Sequence, residues 1–357
     1  MGWLWRKKNK NKKLELERGA KLLEELIECC DGKSNPIKFF SADEILKATN
    51  DFSDSNLVHQ EEFYCQWYSG KNENHPMILI RKGTRWWNRL RVDSLLCRDI
   101  AVSSMVSGHK NFLKLVGCCL ELEYPITVYH GVKKHYQLEI NEKPWKRRMK
   151  IAEDIATALA YLHTAFPRPF VYRSFSHQNI LLDEDGVAKL TDFSFCVSIP
   201  EGETFVRVNR LAGTVDYFDP KYALHGVVSE TTDVFAFGIF LQRLLMWETN
   251  KRFLFRVLRF KEEQRMDAKE SEGEFDSGMK RLVRNLLSKL KEDRPMEEIA
   301  EPKMIEKMGQ ISEEERCQMK AFMMLSLRCR GPSEEVPTMV EVAKELNKIQ
   351  RSLFNDS

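Results

Sequence analysis

The side chains best placed to do chemistry lie in VYRSFSHQN at residues 171–179. Ser176 precedes His177, which puts a nucleophile next to a base, but neighbouring side chains in a loop point apart and do not form a working pair. Ser174 cannot accept a proton unaided, because the pKa of a serine hydroxyl lies far above 7. No carboxylate occurs in residues 170–180. This stretch therefore offers hydroxyl, imidazole and amide groups but no carboxylate for acid–base chemistry.

The elements that must position this loop follow an order along the chain, in which strands come first and helices come later. MILIRK and ITVYHG are short β-branched runs typical of strands. Residues 150–163 and 230–245 are apolar-periodic helices, and helical periodicity recurs across 280–353. This order predicts an α+β fold with a smaller β-rich lobe and a larger α-helical lobe.

We expect three parts: an extension at 1–40, a small lobe at 41–131 and a large lobe at 132–357. The extension begins with the basic MGWLWRKKNKNKK, which could be a disordered tail or contact an anionic membrane surface. Myristoylation is disfavoured, because its motif wants Ser or Thr where this chain has Arg6.

Residues 14–31 predict an amphipathic helix that packs either on its own domain or on a partner. Its apolar stripe is Leu16, Ala20, Leu23, Ile27 and Cys30, widened by Leu22 and Leu26. Downstream, Ser41 and Glu44 have the spacing of a capping box, which predicts another helix start.

Composition excludes several classes of protein. Among 357 residues, 43% are hydrophobic and the net charge is only +3, which fits a globular fold and gives no sign of nucleic-acid binding. No apolar run reaches the roughly 18–20 residues of a membrane span, and the basic start of the chain leads us to expect no secretory signal. The nine cysteines lack CxxC spacing, so we expect buried free thiols in a reducing cytosolic compartment, not a metal site.

Over about residues 50–350 the chain resembles a protein kinase domain, because five motifs fall in the right order. FFSADEILKATNDFS and LVGCCLE resemble plant receptor-like kinases. Together with the short N-terminal helix and the altered motifs below, the chain is most similar to the ZRK family, the ZED- and RKS-type cytoplasmic pseudokinases of plants.

The resemblance places a glycine-rich phosphate loop in NLVHQEEFYCQWYSG at 56–70. His59, Glu61 and Tyr64 stand where the family has glycines, so the close approach to phosphates is blocked. Glutamate at 61 and 62 would also repel a triphosphate. The stretch remains a predicted hairpin.

The family also has a strand lysine that holds phosphates and pairs with a helix glutamate. Arg81 or Lys82 occupies the lysine position, with a register uncertain by one residue. Ile100 falls at the glutamate position, and we expect Asp99 beside it to face another way. The usual ion pair is therefore not expected to form.

The family's catalytic loop reads HRDLKPxN. Ser174 replaces the aspartate that accepts the substrate proton, and Ser176 replaces the lysine that neutralises the transferred phosphoryl group. Such groups contribute about 10²–10⁴-fold and about 10²–10³-fold to the rate. Asn179 and Asp192 match the two metal-binding positions, although both could instead hold turns through backbone hydrogen bonds.

Other family positions look structural. Arg173 is retained, and Asp233 matches the buried aspartate that supports the catalytic loop. Lys221 and Val336 replace the two ends of one buried ion pair. Losing both ends of such a pair can be nearly neutral, whereas losing one strands a charge.

The resemblance implies a catalytically inactive adaptor in plant innate immunity. Its implied partners are an intracellular nucleotide-binding leucine-rich-repeat (NLR) immune receptor and receptor-like cytoplasmic kinases modified by pathogen effectors, or an effector itself. We expect weak or no ATP and Mg²⁺ binding and a cytoplasmic location, with peripheral plasma-membrane contact as an option. The alternatives are a weak atypical serine/threonine kinase that binds ATP and a non-catalytic nucleotide switch.

Overall fold

The computed structural model describes residues 2–30, 35–60, 65–72, 75–83, 93–124, 126–131, 136–140, 143–246, 295–331 and 336–351. The chain forms two compact units. The first contains Met1–Leu138 and Gln178–Cys196, and the second contains Glu139–His177 and Val197–Ser357. The division into lobes at 131/132 stays a prediction. The first unit differs from the predicted small lobe in taking a segment from later in the chain.

Within its described residues, the first unit combines a six-stranded sheet, a three-stranded sheet and three helices. Its helices are α1 (Gly2–Cys30), α2 (Ala42–Thr49) and α3 (Asp93–Val106). Its strands are β1 (Lys38–Phe39), β2 (Leu57–Gln60), β3 (Cys65–Asn72), β4 (His75–Gly83), β5 (Leu115–Cys119), β6 (Ile126–His130), β7 (Tyr136–Gln137), β9 (Ile180–Leu182) and β10 (Ala188–Leu190).

The large sheet has the strand order β1-β5-β6-β4-β3-β2, and only the β1–β5 pair is parallel. The other sheet has the order β10-β9-β7. The capping box at the start of α2 is confirmed: the Ser41 hydroxyl accepts from the Glu44 N–H at 3.2 Å, and the Glu44 carboxylate accepts from the Ser41 N–H at 2.9 Å.

The core of the first unit lies on both faces of the large sheet. Because side chains alternate along a strand, β4 sends Leu79 to the cluster that contains Trp67 and Ile100, and Ile80 to the cluster that contains Ile45. The same alternation puts Arg81 and Lys82 on opposite faces. It thereby decides which cation faces α3.

Helix α1 packs against α3 within the first unit. Its contact face follows Arg18, Leu22, Glu25 and Cys29, all of which are buried, at the i, i+4, i+7, i+11 spacing of one helix face. The Arg98 side chain forms ion pairs with Glu25 and Glu28. The helix begins at Gly2, so the basic start of the chain belongs to α1 and the expectation of a disordered tail is wrong.

The predicted apolar stripe of α1 is confirmed as the packing face at Leu22 and Leu26, which join the core, and is wrong for its other described members. Leu16, Leu23 and Ile27 are 68%, 59% and 56% exposed, whereas Leu22 is 2% exposed. The contact face includes two charged residues whose partners lie on other elements. A search for apolar periodicity alone therefore centres the stripe away from the packing side of the helix.

The second unit is mainly helical and carries short strand pairs. Its helices are α4 (Trp145–Thr164), α5 (Pro220–His225), α6 (Glu230–Met246), α7 (Met296–Ile299), α8 (Pro302–Met308), α9 (Glu313–Arg328) and α10 (Met339–Arg351). Its strands are β8 (Phe170–Val171), β11 (Val197–Ser198), β12 (Val206–Arg207) and β13 (Val227–Val228). Strand β8 pairs with β11, and β12 pairs with β13, both antiparallel.

Helices α4 and α6 form the centre of the second unit, with α10 against α4 and α9 against α6. Phe175 from the catalytic-loop stretch enters this core, where its ring centroid lies 5.3 Å from those of Tyr217 and Phe240. The predicted helices at 150–163 and 230–245 are confirmed as α4 and α6. Within 280–353, the part before residue 295 lies outside the described residues, as does the polar segment 259–278.

The state of the cysteines and the polarity of the helices agree with what the composition predicted. The eight cysteines whose side chains the structure describes are free thiols, and all of these except Cys317 are buried. Within the same ranges, no helix combines the length and the apolar character needed to cross a membrane.

Candidate functional site

Arg81 is the strand cation that faces α3. It is 5% exposed, and its guanidinium donates from Nη1 to Asp99 Oδ2 at 2.7 Å and from Nε to Cys65 Sγ at 3.2 Å. Lys82 lies on the other face of β4, with Nζ 4.0 Å from the centroid of the Phe52 ring. Partial burial lowers the pKa of Lys82. The register left open by the sequence is therefore settled in favour of Arg81.

Asp99 corrects the sequence interpretation of α3. We expected it to face away from Arg81, with Ile100 at the pairing position. Instead, Ile100 is fully buried in the apolar core, and Asp99 pairs with Arg81. One position along a helix is a rotation of about 100°, so the packing of α3 determines which residue meets the cation.

Asp99 also binds the backbone of the DFS segment. Its Oδ1 accepts from the Phe193 N–H at 2.8 Å. The carboxyl is completely buried, and this burial raises the pKa of Asp99 while the Arg81 charge opposes that rise. A sequence signal for this role existed: Asp99 is followed in α3 by the apolar Ile100, Ala101 and Val102, and an acidic residue that is buried with such a run needs a partner.

The Asp192 carboxylate contacts other side chains of the first unit. Its Oδ1 lies 3.3 Å from Arg81 Nη2 and accepts from the Ser194 hydroxyl at 2.6 Å. Its φ of 63° lies in the left-handed region, which non-glycine residues rarely adopt. Asn179 is buried, and its backbone carbonyl accepts from the Thr191 N–H and hydroxyl at 2.9 and 3.0 Å.

The contacts of Asp192 occupy one of the two oxygens that a metal ion could use. Proteins hold Mg²⁺ through one or two carboxylates, with waters and substrate phosphates as the other ligands, and Oδ1 of Asp192 already receives a guanidinium and a hydroxyl. Across the described residues, no group of three or more His, Cys, Asp or Glu side chains is arranged to hold a metal. The turn-holding alternative for Asp192 agrees with these contacts.

The predicted phosphate loop is described only in part. His59 lies in β2 opposite Trp67 of β3, and its side chain is half-buried. Glu61 and Tyr64 lie outside the described residues.

In the second unit, Asp233 supports the catalytic-loop backbone. Its side chain is fully buried. Its Oδ2 accepts from the Tyr172 N–H at 2.7 Å, and its Oδ1 accepts from the Arg173 N–H at 3.0 Å. His163 Nε2 also lies 3.0 Å from Oδ2. The charge of Asp233 is thus used to fix the loop.

Arg173 connects the loop to the segment that follows β12. Its φ is 61°, and its Nη2 donates to the Arg210 carbonyl and to the Tyr222 hydroxyl, both at 3.0 Å. Tyr222 in turn donates to the Ala212 carbonyl at 2.9 Å. Gly213 is required next to these contacts, since its φ is +99° and a Cβ there would lie 2.5 Å from the Arg173 carbonyl oxygen.

The loop itself offers hydroxyl groups where phosphoryl transfer needs charges. Ser174 and Ser176 are both buried, and neither can act as the proton acceptor or the phosphate-neutralising cation. The altered ion pair behaves as a solvated lysine and an apolar residue: Lys221 is exposed and Val336 is half-buried. This arrangement keeps a folded kinase-type loop without the groups that do the chemistry.

Fold and site together define the class, a protein kinase domain, and the protein kinase domain family model matches residues 70–320. A relative named "Probable inactive receptor-like protein kinase" from Arabidopsis thaliana is 75% identical over 358 residues, covering 100% of this chain and 94% of the relative. "Inactive serine/threonine-protein kinase ZRK12" is 64% identical over 100% of this chain and 84% of its own length, and "Non-functional pseudokinase ZRK15" is 50% identical over 94% and 91%, both from the same plant. The chain belongs to the ZRK family of kinase-like proteins and is a pseudokinase.

Proposed function

We propose that this pseudokinase is an adaptor in plant innate immunity. It would connect an intracellular NLR immune receptor to receptor-like cytoplasmic kinases modified by pathogen effectors. In this role the fold supplies surfaces that bind partner proteins, and this binding does not require ATP or Mg²⁺. The location would be the cytoplasm, with peripheral membrane contact through the basic start of α1 as a further option.

The observation that supports an adaptor most strongly is the exposed side of α1. Leu16, Leu23 and Ile27 are each more than half exposed. Their spacing of seven and four residues places them on one side of the helix. The opposite side of α1 is already buried against its own unit. A row of large exposed apolar side chains on a helix that is held from behind is typical of a protein-binding surface.

The second unit presents another surface suited to a partner. Phe205 and Leu211 are 41% and 39% exposed, and the basic Arg207 and Arg210 between them are also exposed. Apolar side chains interspersed with arginines favour a protein partner that carries acidic or phosphorylated groups. An adaptor needs two such surfaces, because it must hold two proteins at once.

The test is direct binding between purified full-length chain and individually expressed NLR receptors. Leu23→Glu combined with Ile27→Glu should abolish receptor binding while leaving the melting temperature within about 2 °C, since both side chains are exposed. Glu15→Lys is the matched control, because residue 15 is exposed on the same helix outside the apolar row. Failure of wild-type chain to bind any NLR receptor would refute the adaptor proposal, whereas undiminished binding by the double variant would refute only the assignment to α1.

A further inference from the structure

Three parts of the first unit meet at one buried guanidinium. Arg81 on β4 contacts Cys65 on β3, Asp99 on α3 and Asp192 of the DFS segment through three different nitrogens. Asp99 adds a second link, because its other oxygen accepts from the Phe193 N–H. We call the set of Arg81, Asp99, Asp192 and Phe193 the Arg81 clamp.

The charge balance of the clamp explains why an arginine is suited to this position. Two carboxylates at one buried point repel each other and need a cation between them. A guanidinium presents separate N–H groups in a planar fork and can donate to both, whereas an ammonium is a compact point charge. In an active kinase, the lysine–glutamate pair and the aspartate–Mg²⁺ contact must both be in place.

We propose that the Arg81 clamp takes the place of a bound metal ion in this pseudokinase. The Arg81 side chain supplies the positive charge that Asp192 would otherwise take from that ion. Helix α3 and the DFS segment are then held together whether or not nucleotide is present. The first unit has one conformation at this point and does not respond to Mg²⁺–ATP. This inference does not depend on the partners proposed above.

Hydrogen–deuterium exchange of the full-length chain tests the clamp. The peptides to follow cover 93–106 and 190–196, in wild type, Arg81→Met and Lys82→Met, each with and without millimolar Mg²⁺–ATP. Lys82→Met is the matched control, since it removes a cation from the next residue of the same strand but from the opposite face. We expect Arg81→Met to speed exchange in both peptides by about tenfold, equivalent to about 1.4 kcal/mol of local opening free energy.

The expected results for the other samples are equally definite. Lys82→Met should match wild type in both peptides, and Mg²⁺–ATP should leave wild-type exchange unchanged. The proposal is overturned if Arg81→Met exchanges no faster than Lys82→Met, or if Mg²⁺–ATP slows exchange in wild-type 190–196.

A milder variant keeps the test valid if Arg81→Met does not fold. Arg81→Lys retains the charge but loses the fork, so exchange in 190–196 should rise while that in 93–106 changes less. If both peptides of Arg81→Lys exchange at the wild-type rate, any cation at position 81 is enough to hold α3 and the DFS segment together. That result would overturn the clamp as the reason for ligand independence.

Discussion

Replacing Arg18 with alanine should show that α1 is part of the first unit and not an attached tail. The Arg18 side chain is 2% exposed. Its guanidinium donates to the backbone carbonyls of Leu120, Leu122 and Glu123 at 3.0, 2.6 and 3.1 Å. It also forms an ion pair with Asp93 at 2.8 Å. One side chain thus fixes α1 to the turn after β5 and to the start of α3.

The expected cost follows from these contacts. Three carbonyl hydrogen bonds at about 1 kcal/mol each give about 3 kcal/mol. The ion pair adds about 0–1 kcal/mol, because the Asp93 side chain is 45% exposed and solvent screens the pair. We therefore expect Arg18→Ala to lower the free energy of unfolding by about 3–4 kcal/mol, which corresponds to a melting-temperature decrease of about 6 °C or more.

Urea unfolding followed by circular dichroism and a melting curve would measure this loss. Lys21→Ala is the control, since residue 21 is exposed on the same helix and its removal should change stability by about 0.5 kcal/mol or less. If Arg18→Ala is as stable as Lys21→Ala, α1 does not contribute to the fold and the reasoning from its contacts fails.

Three further predictions concern the second unit and the missing chemistry. Asp233→Ala should cost about 3 kcal/mol or more, because it leaves buried donors of the catalytic loop without an acceptor; an unchanged urea midpoint would contradict this. Restoring charges with Ser174→Asp and Ser176→Lys together should not produce phosphate transfer from labelled ATP, because Asp192 is already paired with a guanidinium; incorporation well above wild type would contradict the inference. Burial raises the pKa of Asp219 to about 6, so the folded state holds this proton more tightly than the unfolded state, and the Asp219 contribution to stability falls as pH rises from about 4 to about 6. Asp219→Asn should remove that component, and identical pH profiles of unfolding free energy for variant and wild type would show that it does not exist.

Local patterns were enough to identify the class and the missing chemistry. The order of the motifs predicted the kinase fold, and the serines at 174 and 176 predicted inactivity, because these conclusions depend on which residue type occupies a motif position. The capping box of α2 was equally readable, since its two partners are three residues apart. Each motif and the capping box can be read within a few residues of chain.

Contacts between distant elements could not be read in the same way. Most of the predicted stripe of α1 is exposed, because the buried side combines Leu22 with Arg18 and Glu25. The partners of these two charged residues lie on α3 and in the turn after β5. The choice between Arg81 and Lys82 depends on which face of β4 meets α3. The pairing of Asp99 depends on the rotation of α3, and that rotation is fixed by packing Ile100 and its apolar neighbours into the core. A strand register or a helix rotation is decided by the free energy of burying whole faces, which no short stretch of sequence contains.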